Sequence, residues 1–161
     1  MTLTAAGMFA GFTDDTGFLD ELTPDAPAAG GGLLLSLGTQ RWLRLRSVYC
    51  SLTTDSNAAT RLLSIDYLGR GGVVAITNAA PVLVTANTTG QVFMFEQHRT
   101  VSEWNTGTPV YAPLSPMPLP PGWQVQLALA NAQAGDQLSS IRVVVERFYP
   151  PSSSDYPGAS D

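Results

Sequence analysis

The chain has no lysine, one histidine and one cysteine among its 161 residues. Charged residues make up 13% of it, about half the usual share. Each shortage excludes something. With Cys50 alone there is no internal disulfide, and its alternating neighbours make it a buried strand thiol rather than a reactive one. With His98 alone there is no two-histidine metal site, and no cysteine cluster can replace it. No stretch reaches the ~20 apolar residues of a membrane-spanning helix. The N-terminus also lacks the basic and apolar regions of a signal peptide. These absences predict a soluble protein made in a reducing cytosol, with no membrane partner.

The charge that is present is unevenly placed. All the basic residues are arginines, suited to planar bidentate contacts, although a GC-rich gene would give the same bias. Residues 1–40 carry Asp14, Asp15, Asp20, Glu21 and Asp25 and no basic residue. Residues 41–150 hold every arginine and are near neutral, and Asp155 and Asp161 make the end acidic again. An acidic arm on a near-neutral body argues against nucleic acid as a direct ligand, because counterion release needs clustered Lys or Arg.

Organisation follows composition. Residues 1–36 read as an extended N-terminal arm rich in Gly, Ala, Thr and Asp, whose APAAGGG joint runs into the short apolar strand LLLSL. A short helix near Phe18–Leu22 is one expectation for this arm. Phe9, Phe12, Phe18, Leu19 and Leu22 have no domain of their own there. They belong either to a disordered leader or to an arm that docks on a neighbouring subunit. Residues 37–150 read as strands throughout, and residues 151–161 as a flexible tail.

Within the body, period-2 alternation marks RLLSIDYL, WQVQLALA and QLSSIRVVVERFY as strands, and the apolar runs VVAIT, VLVTA and QVFMFEQ read as strands too, all between short polar turns such as GRGG. In RWLRLRSVYCSLTT, Leu43 and Leu45 share one parity while Val48, Cys50 and Leu52 share the other. That predicts a β-bulge near Arg46–Ser47, or else a strand buried on both faces. Prolines crowd PVYAPLSPMPLPP and confine it to a sheet edge or a covering loop. About eight strands with no helix between them predict an all-β antiparallel sandwich. A jelly roll fits best, and an immunoglobulin-like sandwich, which would want a second cysteine, is the rival.

The stock for catalysis is thin. No nucleophile elbow surrounds any serine that His98 might activate. Glu96 and Glu103 form the one carboxylate pair to weigh for glycosidase chemistry, but Glu96 alternates with Phe95 and should point off the core. Asp55, Asp66 and Asp136 would make a calcium site only if their loops met, without any EF-hand spacing to support it. No catalytic residue, metal site or cofactor is therefore assigned. Among the tryptophans, Trp123 heads a core face, whereas Trp104, with Tyr111 nearby, sits among polar residues as a candidate protein or sugar contact.

Three pieces carry a family resemblance: RWLRLRSVYCSLTTDSNAATRLLSIDYL, TGQVFMFEQ and LPPGWQVQLALANAQAGDQLSSIRVVVERF. A first strand ending in T-T-D-S-N-A-x-x-R and a late L-P-P-G…A-G-D-Q-L-S pair resemble small virion proteins of tailed bacteriophages with jelly-roll-type sandwich domains. The resemblance runs from Arg41 to Phe148 and leaves the acidic arm uncovered. It implies a non-enzymatic role in the virion, on the capsid or at the neck or tail. A decoration or cement protein bound to the major capsid protein or another virion protein comes first, and self-association, often as trimers, goes with it. The alternative is a carbohydrate- or receptor-binding sandwich of a neck or tail apparatus, with Trp104 on its binding face. Candidate protein contacts are Phe9, Phe12, Phe18, Leu19, Leu22, Trp104 and Tyr111.

Overall fold

Ten strands and no helix make up residues 17–37, 41–81, 83–95 and 110–148, which the computed structural model describes. In chain order they are β1 (Phe18–Leu22), β2 (Leu33–Ser36), β3 (Trp42–Thr53), β4 (Leu62–Leu68) and β5 (Val74–Ala79). They continue as β6 (Thr89–Phe95), β7 (Val110–Pro113), β8 (Pro118–Leu119), β9 (Gln124–Ala130) and β10 (Gln137–Phe148). One sheet runs β1-β10-β3-β6-β7 with β8 on β3, and the other runs β2-β9-β4-β5.

The pairing is nested. β1 pairs with β10, β2 with β9, β3 with β6 and β4 with β5, all antiparallel. A long ribbon folded in half and rolled over itself gives this order, so the sandwich is a jelly roll. The pair β6–β7 departs from it by running parallel. A parallel neighbour needs a long crossover, and residues 96–109 supply the length. β7 and β8 are additions to the eight-stranded roll. They come from the proline-rich segment, which takes an edge position and a two-residue pairing, as its missing N–H groups require.

Two expectations for the chain change here. Phe18–Leu22 is a strand and not a helix, because β10 offers it a free edge to pair along. Of the expected strand 82–86, the described residues 83–86 form none, since only Val84 bridges to Arg61. Its backbone is diverted to the Thr54 side chain, which donates to the Thr85 carbonyl (2.7 Å) and accepts from Thr88 N–H (2.9 Å).

Between the sheets, alternation does what period 2 dictates. Leu63, Ile65 and Tyr67 of β4, Val125 and Leu127 of β9, and Val143 and Val145 of β10 fill one core. Trp123 is only partly buried and packs against that core. In β3 the register against β10 skips one residue between Ser47 and Leu45, leaving Arg46 as the extra one. Leu43, Leu45, Val48, Cys50 and Leu52 are thereby all buried. The bulge is real. A second bulge in β10 leaves Ser140 unpaired at φ 50°, which brings Leu138 and Ile141 to the same face.

Cys50 is 1% exposed and its burial pushes the thiol up to about 12. A disulfide reagent at pH 8 should therefore leave the folded chain unlabelled and modify Cys50 only in denaturant. Rapid labelling of the native protein would contradict the buried placement.

Candidate functional site

Four connections meet at one end of the roll and are tied together by Arg61. Its side chain is completely buried where β4 begins. Nε and Nη2 donate to the two oxygens of Asp136 at 2.9 and 3.0 Å, a bidentate fork. Nη2 also donates to Asp55 Oδ1 at 2.6 Å, and Nη1 to the carbonyls of Asn57 and Ala59 at 3.0 and 2.7 Å. Those contacts use every N–H that a guanidinium has.

Asp136 is equally saturated. Besides Arg61 it accepts from the backbone N–H of Asp55 (2.9 Å) and of Gln133 (2.8 Å). Asp55 adds contacts to Asn57 and Gly135 N–H, and its carbonyl accepts from Asn87 N–H. Gly30 N–H donates to the Asp136 carbonyl, and a Cβ at Gly30, where φ is 74°, would lie 3.0 Å from the Gln133 carbonyl oxygen. The segments 26–31, 54–61, 84–88 and 131–137 thus close on one another.

The electrostatics agree with the geometry. Burial alone would raise the Asp136 carboxyl, but the Arg61 hydrogen bonds, the two backbone N–H groups and the Arg61 charge hold it below its ordinary range. For Arg61 the Asp136 hydrogen bond outweighs burial and raises its pKa. Asp55 and Asp136 do meet, as a calcium site would need, but the cation between them is a guanidinium. Asp66 lies apart in β4, opposite Gln126 and Thr77. Among the described residues, no group of three His, Cys, Asp or Glu is placed to hold a metal ion.

The two outer faces differ in chemistry. Trp42, Arg44, Arg46, Tyr49 and Ser51 alternate with the buried side of β3 and face outward, beside Arg142, Glu146 and Phe148 of β10. Trp42 stacks on Phe148 with ring centroids 6.5 Å apart, and the Arg44 guanidinium lies 5.8 Å from the Phe148 centroid. Glu146 Oε2 takes Arg46 Nε at 3.1 Å and Arg44 Nη1 at 3.6 Å. On the other sheet the outward row Leu34, Gln126, Asp66 and Thr77 carries a single charge. Gln124 donates to Ser36 there. The two-faced strand Gln124–Ala130 has an apolar inner side and an amide-bearing outer side.

The candidate contact residues scatter. Phe18 and Leu19 are exposed at 49% and 40%. Leu22 is a correction: it is 6% exposed, opposite Val143, and the chain's own core takes it. Tyr111 lies in β7 opposite Phe93, its side chain outside the described residues. Phe9, Phe12 and Trp104 lie outside the described residues, as do Glu96, His98 and Glu103. Arg61, which organises the loop end, was not singled out from the sequence. Its signal was D-S-N-A-A-T-R, an acid and an arginine bracketing a turn, but the third member is Asp136, 75 positions away.

No family model matches the chain, and no curated protein does. It is similar to a chain of the T13 viral particle of infectious bursal disease virus, IBDV, at TM-score 0.42 and 12% identity over 91% of this chain. Similar figures hold for the Gt strain of that virus (0.41, 14%, 98% of this chain) and the Gx strain (0.41, 15%, 98%). The chain spans 36% of the length of the first and 40% of the other two.

Proposed function

We propose that this chain is a non-enzymatic virion structural protein, foremost a capsid decoration or cement protein that binds and stabilises a bacteriophage head. The observation that supports it is the Arg61 clasp. The D-S-N-A-A-T-R and A-G-D-Q pieces, which carry the resemblance to tailed-phage virion proteins, are joined there and consumed by one another. Their acids and arginine serve to lock four connections, which leaves neither Asp55 nor Asp136 free for chemistry.

Contact then falls to the sheet faces. Interface cores are enriched in Tyr, Trp, Phe and Arg and depleted in Lys, Glu and Asp. The outer side of β3 and β10 has the first composition, and the outer side of β4 and β9 is nearly free of charge. Jelly rolls serve capsid and lectin domains alike, so the fold does not choose between partner classes. The partners in this reading are the major capsid protein or another virion protein, together with further copies of the chain as a trimer.

The test is add-back. Purified chain mixed with phage heads lacking it should cosediment to a saturating ratio and raise the temperature at which the heads release DNA. Light scattering should give a mass of three chains. Heads that bind none, together with a sugar that quenches tryptophan fluorescence on titration, would move the assignment to a carbohydrate-binding module.

A further inference from the structure

The two sheets treat their edges differently. A sheet edge offers unpaired N–H and C=O groups to any other strand, and folded chains commonly block it with charge or proline. The six-stranded sheet has both devices: β1 carries Asp20 and Glu21, and β7 ends on Pro113. The four-stranded sheet has neither in its edge strands, LLLS of β2 and VAITNA of β5. Among the described residues no strand pairs with the far side of either. The sequence around them, 26–40 and 71–95, contains no charged residue, and Leu34 and Val74 stand in solvent at 51% each.

The two edges also match each other. A register shift opposite Tyr67 and Leu68 leaves Ile76–Ala79 as the regular part of β5, the same length as β2. Ala80 N–H turns to the Leu63 carbonyl, so alternation turns Asn78 and Ile76 toward β4 and leaves the Thr77 and Ala79 N–H groups pointing off the edge. Every strand of this sheet is antiparallel to its neighbour, so β2 and β5 run in opposite directions. Copies related by rotation about an axis along the strands keep that sense, which sets β5 of one copy antiparallel to β2 of the next.

We propose that the β5 edge of one copy pairs head to tail with the β2 edge of the next, so that three copies close a ring. The inference rests on the self-association in the virion reading and says which surfaces make it. A ring of three has no two-fold axis, so its contacts join two different patches. Pairing β5 with β5 would leave β2 open in both copies, whereas head-to-tail closure uses both edges of every copy. The chain's net charge of −5 sets copies against one another, and the uncharged edges let them approach without that repulsion.

The experiment is light scattering on the full-length chain and two variants, with amide hydrogen exchange read residue by residue. Thr77→Pro removes an N–H that β4 does not use, at a kind of position where edge strands tolerate proline. Leu34→Lys gives β2 the charge that edges commonly carry. The wild-type chain should give a mass of three. Each variant should give a mass of one at the same concentration, with unchanged far-UV circular dichroism. The Thr77 and Ala79 amides should exchange about tenfold more slowly in the wild-type oligomer than in Leu34→Lys, whose own β5 is intact. An equal mixture of the variants should form a two-chain complex, since each keeps the edge the other lacks.

A wild-type trimer that survives both changes would overturn the edge pairing and leave the self-association of the virion reading in place. A mass of two that only Thr77→Pro breaks would overturn it in favour of a two-fold β5 contact. A single chain at every concentration would overturn both the pairing and the trimer, and add-back to heads would then judge the virion reading alone. If Thr77→Pro does not fold, the Thr77 and Ala79 amides of the wild-type chain and Leu34→Lys decide.

Discussion

An Asp136→Ala chain is expected to lose about 3–5 kcal/mol of folding stability, because breaking a buried ion pair strands the remaining charge. A typical domain has roughly 5–15 kcal/mol in total, so the variant would lie near the edge of folding. Three things fail together when this carboxylate goes. Arg61 loses a bidentate partner, and the N–H groups of Asp55 and Gln133 lose their acceptor. Urea unfolding followed by far-UV circular dichroism measures the loss. A change below about 1 kcal/mol, the worth of an ordinary hydrogen bond, would show that the clasp does not hold the loops.

Acid should have a related effect, and its sign follows from the depressed carboxyl. A group whose folded pKa lies below its unfolded value contributes stability that is complete above the unfolded value, about 3.9 for Asp. That contribution fades as pH falls from there through the folded pKa. The wild-type chain should therefore lose stability below about pH 4. Asp136→Asn should lack this part of the acid limb, so the gap between the two chains should narrow in that window. Asparagine is a useful comparison because it keeps the shape while setting an amide donor against the Arg61 or backbone donors. Combining Asp136→Leu with Arg61→Met should cost less than the two single changes summed, since the two fully buried charges leave together and only the part-exposed Asp55 carboxylate loses its cation.

Deleting Arg46 is expected to be as damaging by a different route. The bulge lets Leu43 and Leu45 face the core together with Val48, Cys50 and Leu52. Without the extra residue, β3 alternates strictly and one set must turn outward. Exposing Leu43 and Leu45 alone costs about 1.5–3 kcal/mol each, and the Arg44 and Arg46 contacts to Glu146 would be lost as well. The deletion should yield insoluble or unfolded protein, whereas Arg46→Ala, which keeps the residue count, should fold. A soluble deletion chain with an unchanged unfolding midpoint would refute the register argument.

Much of the sandwich was legible because strand burial writes itself into parity. The β3 bulge could be read from the clash between Leu43, Leu45 and Val48, Cys50, Leu52 before any strand was paired. The proline count confined 109–121 to an edge or a covering loop, and Pro120, Pro121 and Gly122 mark the turn into β9, with Gly122 at φ 85° and Trp123 N–H donating to the Pro120 carbonyl. The stretch 82–86 misled because a short apolar run reads as a strand without any parity to check it. The Thr54 side chain takes the Thr85 carbonyl instead. Phe18–Leu22 could not be read at all as a strand of the roll, since its pairing depends on β10, which lies at the opposite end of the chain.

By itself the sequence determined the all-β class, the buried thiol at Cys50, the two-faced strand at Gln124–Ala130 and the bulge at Arg46. These are local matters of periodicity, composition and turn chemistry, and neighbouring residues decide them. Only the tertiary structure decided that the first and last strands pair, that β7 runs parallel to β6, and that two acids flanking distant turns close on one arginine. Those outcomes join residues far apart in the chain, as Val92 with Val110 and Phe18 with Arg147. Burial there demands full satisfaction of every polar group, and only the folded chain brings the partners that provide it.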